Sequence, residues 1–244
     1  MISKSELKFI RSLKIKKYRT AEKRFLVEGE KNVLELLSSD YKVERLFVTS
    51  DFQEAYYSKL AKIPHTEVSA NELQNASALT TNDKALAVVQ MKHHEISQID
   101  LNRTIIALDG INDPGNLGTI IRTMDWFGLN QLVCSEDTVD FYNPKVIQAT
   151  MGSFTRVAVA YASLAAFLKS YTGRKIGADI DGTPLNQSKI PHQSVMIMGS
   201  ESHGIREAIR NEIDEFVTIP KFGSAESLNV GIATGILCHH IVAR

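Results

Sequence analysis

Three short stretches of this 244-residue chain hold the residue types from which chemistry could be built. In the first, ALDGINDPGNLGTIIRTMDWFG at residues 107–128, an apolar strand passes through a Gly/Asn/Pro turn into a helix. Asn116 is placed to cap that helix, and the bare glycine turn lets a ligand reach backbone N–H groups at a helix end that favours negative charge. Arg122 follows Ile120 and Ile121 and precedes Met124 and Trp126, close to the apolar seam. It fits either a cation reserved for a ligand or a side chain that snorkels or pairs with a carboxylate. The glycines fall at 110, 115 and 118, which is not the G-x-G-x-x-G spacing of a dinucleotide fingerprint.

The second stretch, VMIMGSESHGIREAI at 195–209, ends a buried strand in Gly199, Ser200, Glu201, Ser202, His203 and Gly204. Glu201 there could orient a hydroxyl or ammonium group, or be an acid favoured by a helix start. His203 reads as a loop residue. The third, VTIPKFGSAESLNVGIATGILCHH at 217–240, leads a strand through Pro220 and small residues into a helix opened by Ser227 and Asn229. Gly231, Ala233 and Gly235 keep that helix slim enough to pack closely on another backbone or a partner subunit, and His239 and His240 read as a solvated terminus.

These stretches need elements to hold them. From residue 104 onward strands and helices alternate regularly, which predicts a parallel sheet covered on both faces, with ligands beyond the strands' C-terminal ends. Residues 25–90 read as a smaller α/β unit, and MKHHEISQIDLNR (91–103) has no clear period. The expected division is therefore a domain at 1–92, a linker at 93–103 and a second domain at 104–244. His93 and His94 lie in that linker without a ligand partner at metal spacing, so no metal is expected.

Composition excludes several classes. A hydrophobic fraction of 43% suits a packed globular protein, and no apolar run reaches the roughly 20 residues of a membrane span. The N-terminal residues lack the apolar stretch of a secretory signal, and a cytoplasmic location is expected. Cys134 and Cys238 supply neither a disulfide framework nor a zinc site. Net charge is zero, yet residues 1–24 carry nine Lys or Arg against Glu6 and Glu22. Such a stripe can be a solvated helix face or a phosphate-binding one.

The three stretches in this order, DPGNLGTIIRT, MGSESHG and IPKFGSAESLNVGIA, resemble the SpoU (TrmH-like) family of RNA ribose 2′-O-methyltransferases, within the SPOUT class. KKYRTAEKRFLVEGEKNVLELL is similar to the L30e-like substrate-binding domain found in many members. The resemblance implies a C-terminal α/β domain with a parallel sheet and a deep trefoil knot, and a small N-terminal α/β RNA-binding domain. It implies S-adenosylmethionine as cofactor, a homodimer that builds the active site, and structured RNA as substrate, ribosomal RNA ahead of transfer RNA. A non-catalytic RNA-binding or ribosome-assembly factor is the competing expectation.

The family roles carried over make Arg122 the residue at the reacting hydroxyl and Asn116 the one that orients the ribose. Glu201 holds the arrangement, Ser227 and Asn229 shape the transfer pocket, and backbone at Gly199, Ile219 and Leu228 meets the cofactor. Beside an RNA-binding domain, Lys14, Lys16, Lys17, Arg19, Lys23 and Arg24 read as phosphate contacts. Two positions depart from the common pattern: Ser200, where many members have asparagine, and Gly231, where many have serine.

Overall fold

The computed structural model describes residues 1–243. It forms two compact units, one of residues 1–92 with 140–155 and the other of residues 93–139 with those from 156 onward. The first opens on two helices, α1 (Lys4–Ser12) and α2 (Lys16–Glu22), and continues through β1 (Arg24–Glu28), α3 (Glu30–Leu37) and β2 (Val43–Val48). After α4 (Ser50–Ala55) and α5 (Tyr57–Leu60) come β3 (Thr66–Glu67), α6 (Ala70–Ala76) and β4 (Ala85–Gln90). The stretch FQEAYYSKLAK holds two helices rather than one, broken at Tyr56, whose φ and ψ of −123° and 28° are not helical.

The four strands form a sheet in the order β1-β4-β2-β3, antiparallel except for the short β2–β3 pair. Two Ser-x-x-Glu capping boxes, Ser3 with Glu6 and Ser69 with Glu72, start α1 and α6. Ile10 and Leu13 then pack on Leu26, Phe47, Leu73, Leu86 and Val88 in the core of this unit.

The second unit runs through β5 (Ile105–Asp109), α7 (Pro114–Trp126) and β6 (Gln131–Ser135), and then the chain departs. Residues 140–155, with α8 (Pro144–Thr150), group with the first unit, although sequence placed them in the second. The chain resumes at β7 (Ala158–Ala162), α9 (Leu164–Ser170), β8 (Arg174–Pro184), β9 (Ser194–Gly199), α10 (Glu207–Arg210), β10 (Glu215–Thr218) and α11 (Val230–Val242). Every strand pairing in this sheet is parallel, in the order β10-β8-β9-β5-β6-β7. All residues of the central β5 and β6 are buried, as expected of a sheet covered on both faces.

Residues 93–103 are packed rather than a free linker. Ile99 is buried in the second unit's core with Ile105, Ala107 and Val133, and the Asp100 N–H donates to the Gln131 side chain at 2.6 Å. Residues 140–155 complete an aromatic cluster in the first unit. Phe25 meets Tyr142 at 4.4 Å and Phe154 at 6.0 Å between ring centroids, and Tyr41 meets Phe154 at 5.7 Å.

Candidate functional site

β5 and β9 lie side by side, with Asp109 opposite Gly199 at their C-terminal ends, so the loops that follow leave the sheet together. After β9 the chain makes a tight hairpin: Ser200 N–H donates to the Gly204 carbonyl at 3.1 Å and Gly204 N–H to that of Ser200 at 2.9 Å. A Cβ at Gly199 would stand 2.1 Å from the Gly204 carbonyl carbon, so only glycine lets the strands of the hairpin cross there. Gly204 has φ +64°, a left-handed conformation that suits glycine. Glu201 is held at the exposed tip.

After β5 the helix begins earlier than Asn116. Asp113 is the N-cap of α7, accepting from the Asn116 N–H at 2.8 Å, and Pro114, which has no N–H to lose, takes the first helical position. The correction matters chemically, because the Asn116 side chain is released from capping. Its Nδ2 donates to Glu201 Oε1, and its Oδ1 accepts from Asn229 Nδ2 at 2.9 Å. Asn229 is itself the N-cap of α11, with Oδ1 accepting from Gly231 N–H at 2.9 Å and Ile232 N–H at 3.3 Å. Ser227 lies in the loop and does not open the helix. One asparagine therefore joins all three sequence stretches. An amide carries two N–H donors and two acceptor lone pairs, so Asn116 keeps one of each for a ligand.

Beside Glu201 is a cavity of about 510 Å³, within the range of small-molecule sites. Gly199, Glu201, Ile219, Ser227 and Leu228 lie on its wall, together with apolar Met198, Val230 and Leu237. Ser227 makes no protein hydrogen bond among the described residues, which leaves its hydroxyl to a ligand. Arg122 is placed elsewhere. It is exposed on α7, off the cavity wall and without a polar partner among the described residues, so of the alternatives a carboxylate pair is not what it forms there. One helical turn on, Trp126 is 85% exposed. α11 packs on α7 with Gly231 against Thr119 and Gly235 against Thr123, and presents exposed Ile232 and Ile236. A Cβ at Gly231 would lie 3.0 Å from the Thr119 methyl, a tight contact that a small shift of Thr119 relieves.

The basic N-terminal set divides. Arg19 is buried, 2% exposed, with its guanidinium donating to the Leu13 and Lys14 carbonyls at 3.0 and 2.8 Å and to Asp140 at 2.6 Å. It is a structural ion pair, which corrects its reading as a phosphate contact. Arg24 pairs with Glu44 through Nε at 2.6 Å, and Lys14 donates to the Ser77 carbonyl at 2.5 Å. Burial pulls the Lys14 amine below the ordinary lysine value. Lys16, Lys17 and Lys23 remain exposed, with Tyr18 between them.

Sequence reasoning missed one cluster. The buried Asp109 carboxylate accepts from Arg206 N–H at 2.8 Å and Nε at 2.7 Å, and Arg206 Nη1 also reaches Asp137 at 2.9 Å. Hydrogen bonding from Ser135, then the Arg206 charge, holds the Asp137 carboxyl below its usual range. The signal was present as an acid ending an apolar strand and an arginine two residues beyond the loop glycine.

Comparison with known proteins agrees with this geometry. The SpoU rRNA Methylase family matches residues 103–239, and the MRM3-like substrate binding domain matches residues 4–87. The 23S rRNA (guanosine(2553)-2′-O)-methyltransferase RlmP of Bacillus subtilis is 30% identical over 240 residues, covering 95% of this chain and 93% of that protein. Among solved structures, a TrmH-family protein from Porphyromonas gingivalis superimposes with TM-score 0.87 at 33% identity, over 100% of this chain and 99% of the other. An AdoMet-bound rRNA methyltransferase from Sinorhizobium meliloti gives TM-score 0.87 at 27% identity, over 99% of this chain and 96% of the other. With the three sequence stretches gathered at one set of strand ends and these matches spanning both units, the chain belongs to the SpoU rRNA methylase family.

Proposed function

We propose that this protein transfers a methyl group from S-adenosylmethionine to a ribose 2′-hydroxyl of ribosomal RNA, in the cytoplasm. The observation that carries the reading is the Glu201–Asn116–Asn229 hydrogen-bond chain, whose Glu201 stands on the cavity wall. The cavity suits the cofactor: backbone at Gly199, Ile219 and Leu228 offers polar groups among apolar Met198, Val230 and Leu237. When bound, S-adenosylmethionine supplies an electrophilic methyl carbon on a sulfonium. Asn116, anchored at both ends of its amide, uses its remaining donor and acceptor to orient the ribose. Glu201 holds Asn116, and the Ser227 hydroxyl shapes the pocket. Arg122 stays protonated, positions a phosphate through its fork and stabilises the oxygen as it becomes an alkoxide.

Arg122 lies off the cavity wall, and this supports a homodimer in which a second copy of the chain completes the site. Trp126, Ile232 and Ile236 give the shared α7–α11 surface the exposed apolar area such an interface needs. The knotted C-terminal path is part of the same proposal and is supported by family membership. On the first unit, Lys16, Lys17 and Lys23 are the phosphate contacts, and Tyr18 offers a stacking face. The rRNA substrate is supported by the named activities of the relatives.

The test is methyl transfer from labelled S-adenosylmethionine to ribosomal and transfer RNA pools from cells lacking the protein, followed by mapping of the modified ribose. Label confined to ribosomal RNA and lost in Arg122→Ala is the expected result. Cofactor binding with no label in either pool would replace this reading with that of an assembly factor.

A further inference from the structure

We propose that Arg206 is a positioning residue of this site: by clamping the Asp109 carboxylate it fixes the loop that carries Glu201 against the loop that carries Asn116. The inference deepens the proposed methyl transfer and rests on it. Asp109 and Gly199 are opposite one another on neighbouring strands, and each begins one of these loops. From Gly199 the chain runs out through the 200–204 hairpin, and at Arg206 it is brought back onto the strand it faced. The carboxylate it meets is fully buried, while Glu201 and Asn116 are not. The rigid end of the sheet therefore sets where the exposed groups stand.

The clamp is more than a single ion pair. Arg206 offers Asp109 its backbone N–H as well as Nε and Nη2, so main chain and side chain are both registered on one carboxylate. Nη1 and Nη2 also hold Asp137 beyond β6, at 2.9 and 3.1 Å. Ser135 completes the set by accepting from the Gly110 N–H at 2.9 Å, which fixes the first residue of the loop leading to Asn116. A lysine would keep the charge but lose the planar fork that reaches two carboxylates at once. Arg206 is absent from the cavity wall, so it acts through Glu201 and Asn116.

The test compares Arg206→Ala and Arg206→Lys with the unaltered protein. It measures steady-state methyl transfer, calorimetric binding of S-adenosylmethionine alone, and amide hydrogen exchange of residues 200–204. Displacing a positioned group by about 1 Å costs on the order of 10²-fold in turnover, so Arg206→Ala should lower kcat by about 10- to 100-fold. The KM for RNA should stay within about twofold, and the cofactor Kd, whose cavity the hairpin borders, should rise less than kcat falls. Arg206→Lys should fall between the two. Exchange at 200–204 should quicken in Arg206→Ala while the β5 and β9 amides stay protected. In a Glu201→Gln background Arg206→Ala should cost little more, because both changes disable one arrangement.

Unchanged exchange at 200–204, or full additivity with Glu201→Gln, would overturn the clamp. Equal losses of cofactor affinity and kcat would also overturn it by marking a general structural role. If the unaltered protein methylates no RNA while the exchange prediction holds, the functional reading fails and the clamp stands.

Discussion

A guanidinium that makes no ion pair among the described residues is a poor device for stability, so removing Arg122 should leave folding intact while disabling chemistry. Loss of one charged or hydrogen-bonding group at a developing anion costs about 10²–10³ in kcat, and Arg122→Ala should show a loss of that size with cofactor affinity unchanged. The same reasoning separates the lysines. Reversing Lys16, Lys17 and Lys23 should flatten the plot of log affinity against log salt by about 0.7 for each phosphate no longer neutralised, measured with single-stranded ribosomal RNA fragments. Reversing the buried Arg19 instead should unfold the first unit. Sequence could name Arg19 as basic, but not that its charge is spent on Asp140, a residue 121 positions away. Asn116 shows a related limit. Local pattern offered it as a cap, and only the fold reveals that Asp113 caps the helix and frees Asn116 to bridge two distant loops.

The elements carry different constraints. Regular alternation made the parallel sheet legible from residue 104 onward, because buried strands and their helices have distinct composition. The break between α4 and α5 and the two-residue β3 were not legible, since a few residues hold too little periodic signal. The crossing at Gly199 admits no side chain: Gly199→Ala forces backbone apart and should destabilise the second unit by about 1–3 kcal/mol or more in denaturant unfolding, with cofactor binding lost.

At the end of β1, Glu28 is buried and accepts from Ser77 Oγ at 2.5 Å and Ala78 N–H at 2.8 Å, pinning the loop after α6. Burial raises its carboxyl above the ordinary value of 4.5. A folded-state value above the unfolded one gives stability that is fully present below the unfolded value and is lost as pH rises through the folded value. Glu28→Gln keeps an acceptor for both donors. It should therefore raise Tm relative to the unaltered protein at neutral pH, with the difference shrinking as pH falls toward 4.5.

In the whole molecule, the division of the chain was half legible. The change from a compact α/β pattern to regular alternation marks the passage near residue 92, but nothing local in NPKVIQATMGSFT says that it serves the first unit. Its role appears only in Phe154, which is 1% exposed and packs against Phe25 and Tyr41. Phe154→Ala should cost about 3–5 kcal/mol of the first unit's stability, read by denaturant unfolding, and leave S-adenosylmethionine affinity unchanged. The split also sets a timetable for synthesis. Domains made on the ribosome ordinarily fold in the order in which they emerge. Here the N-terminal unit cannot seat Phe25 or neutralise Arg19 until Asp140 to Phe154 have left the exit tunnel, by which time β5, α7 and β6 are already out. Nascent chains stalled before residue 140 should hold a protease-sensitive N-terminal unit, and its resistance should appear only once the second unit is partly made.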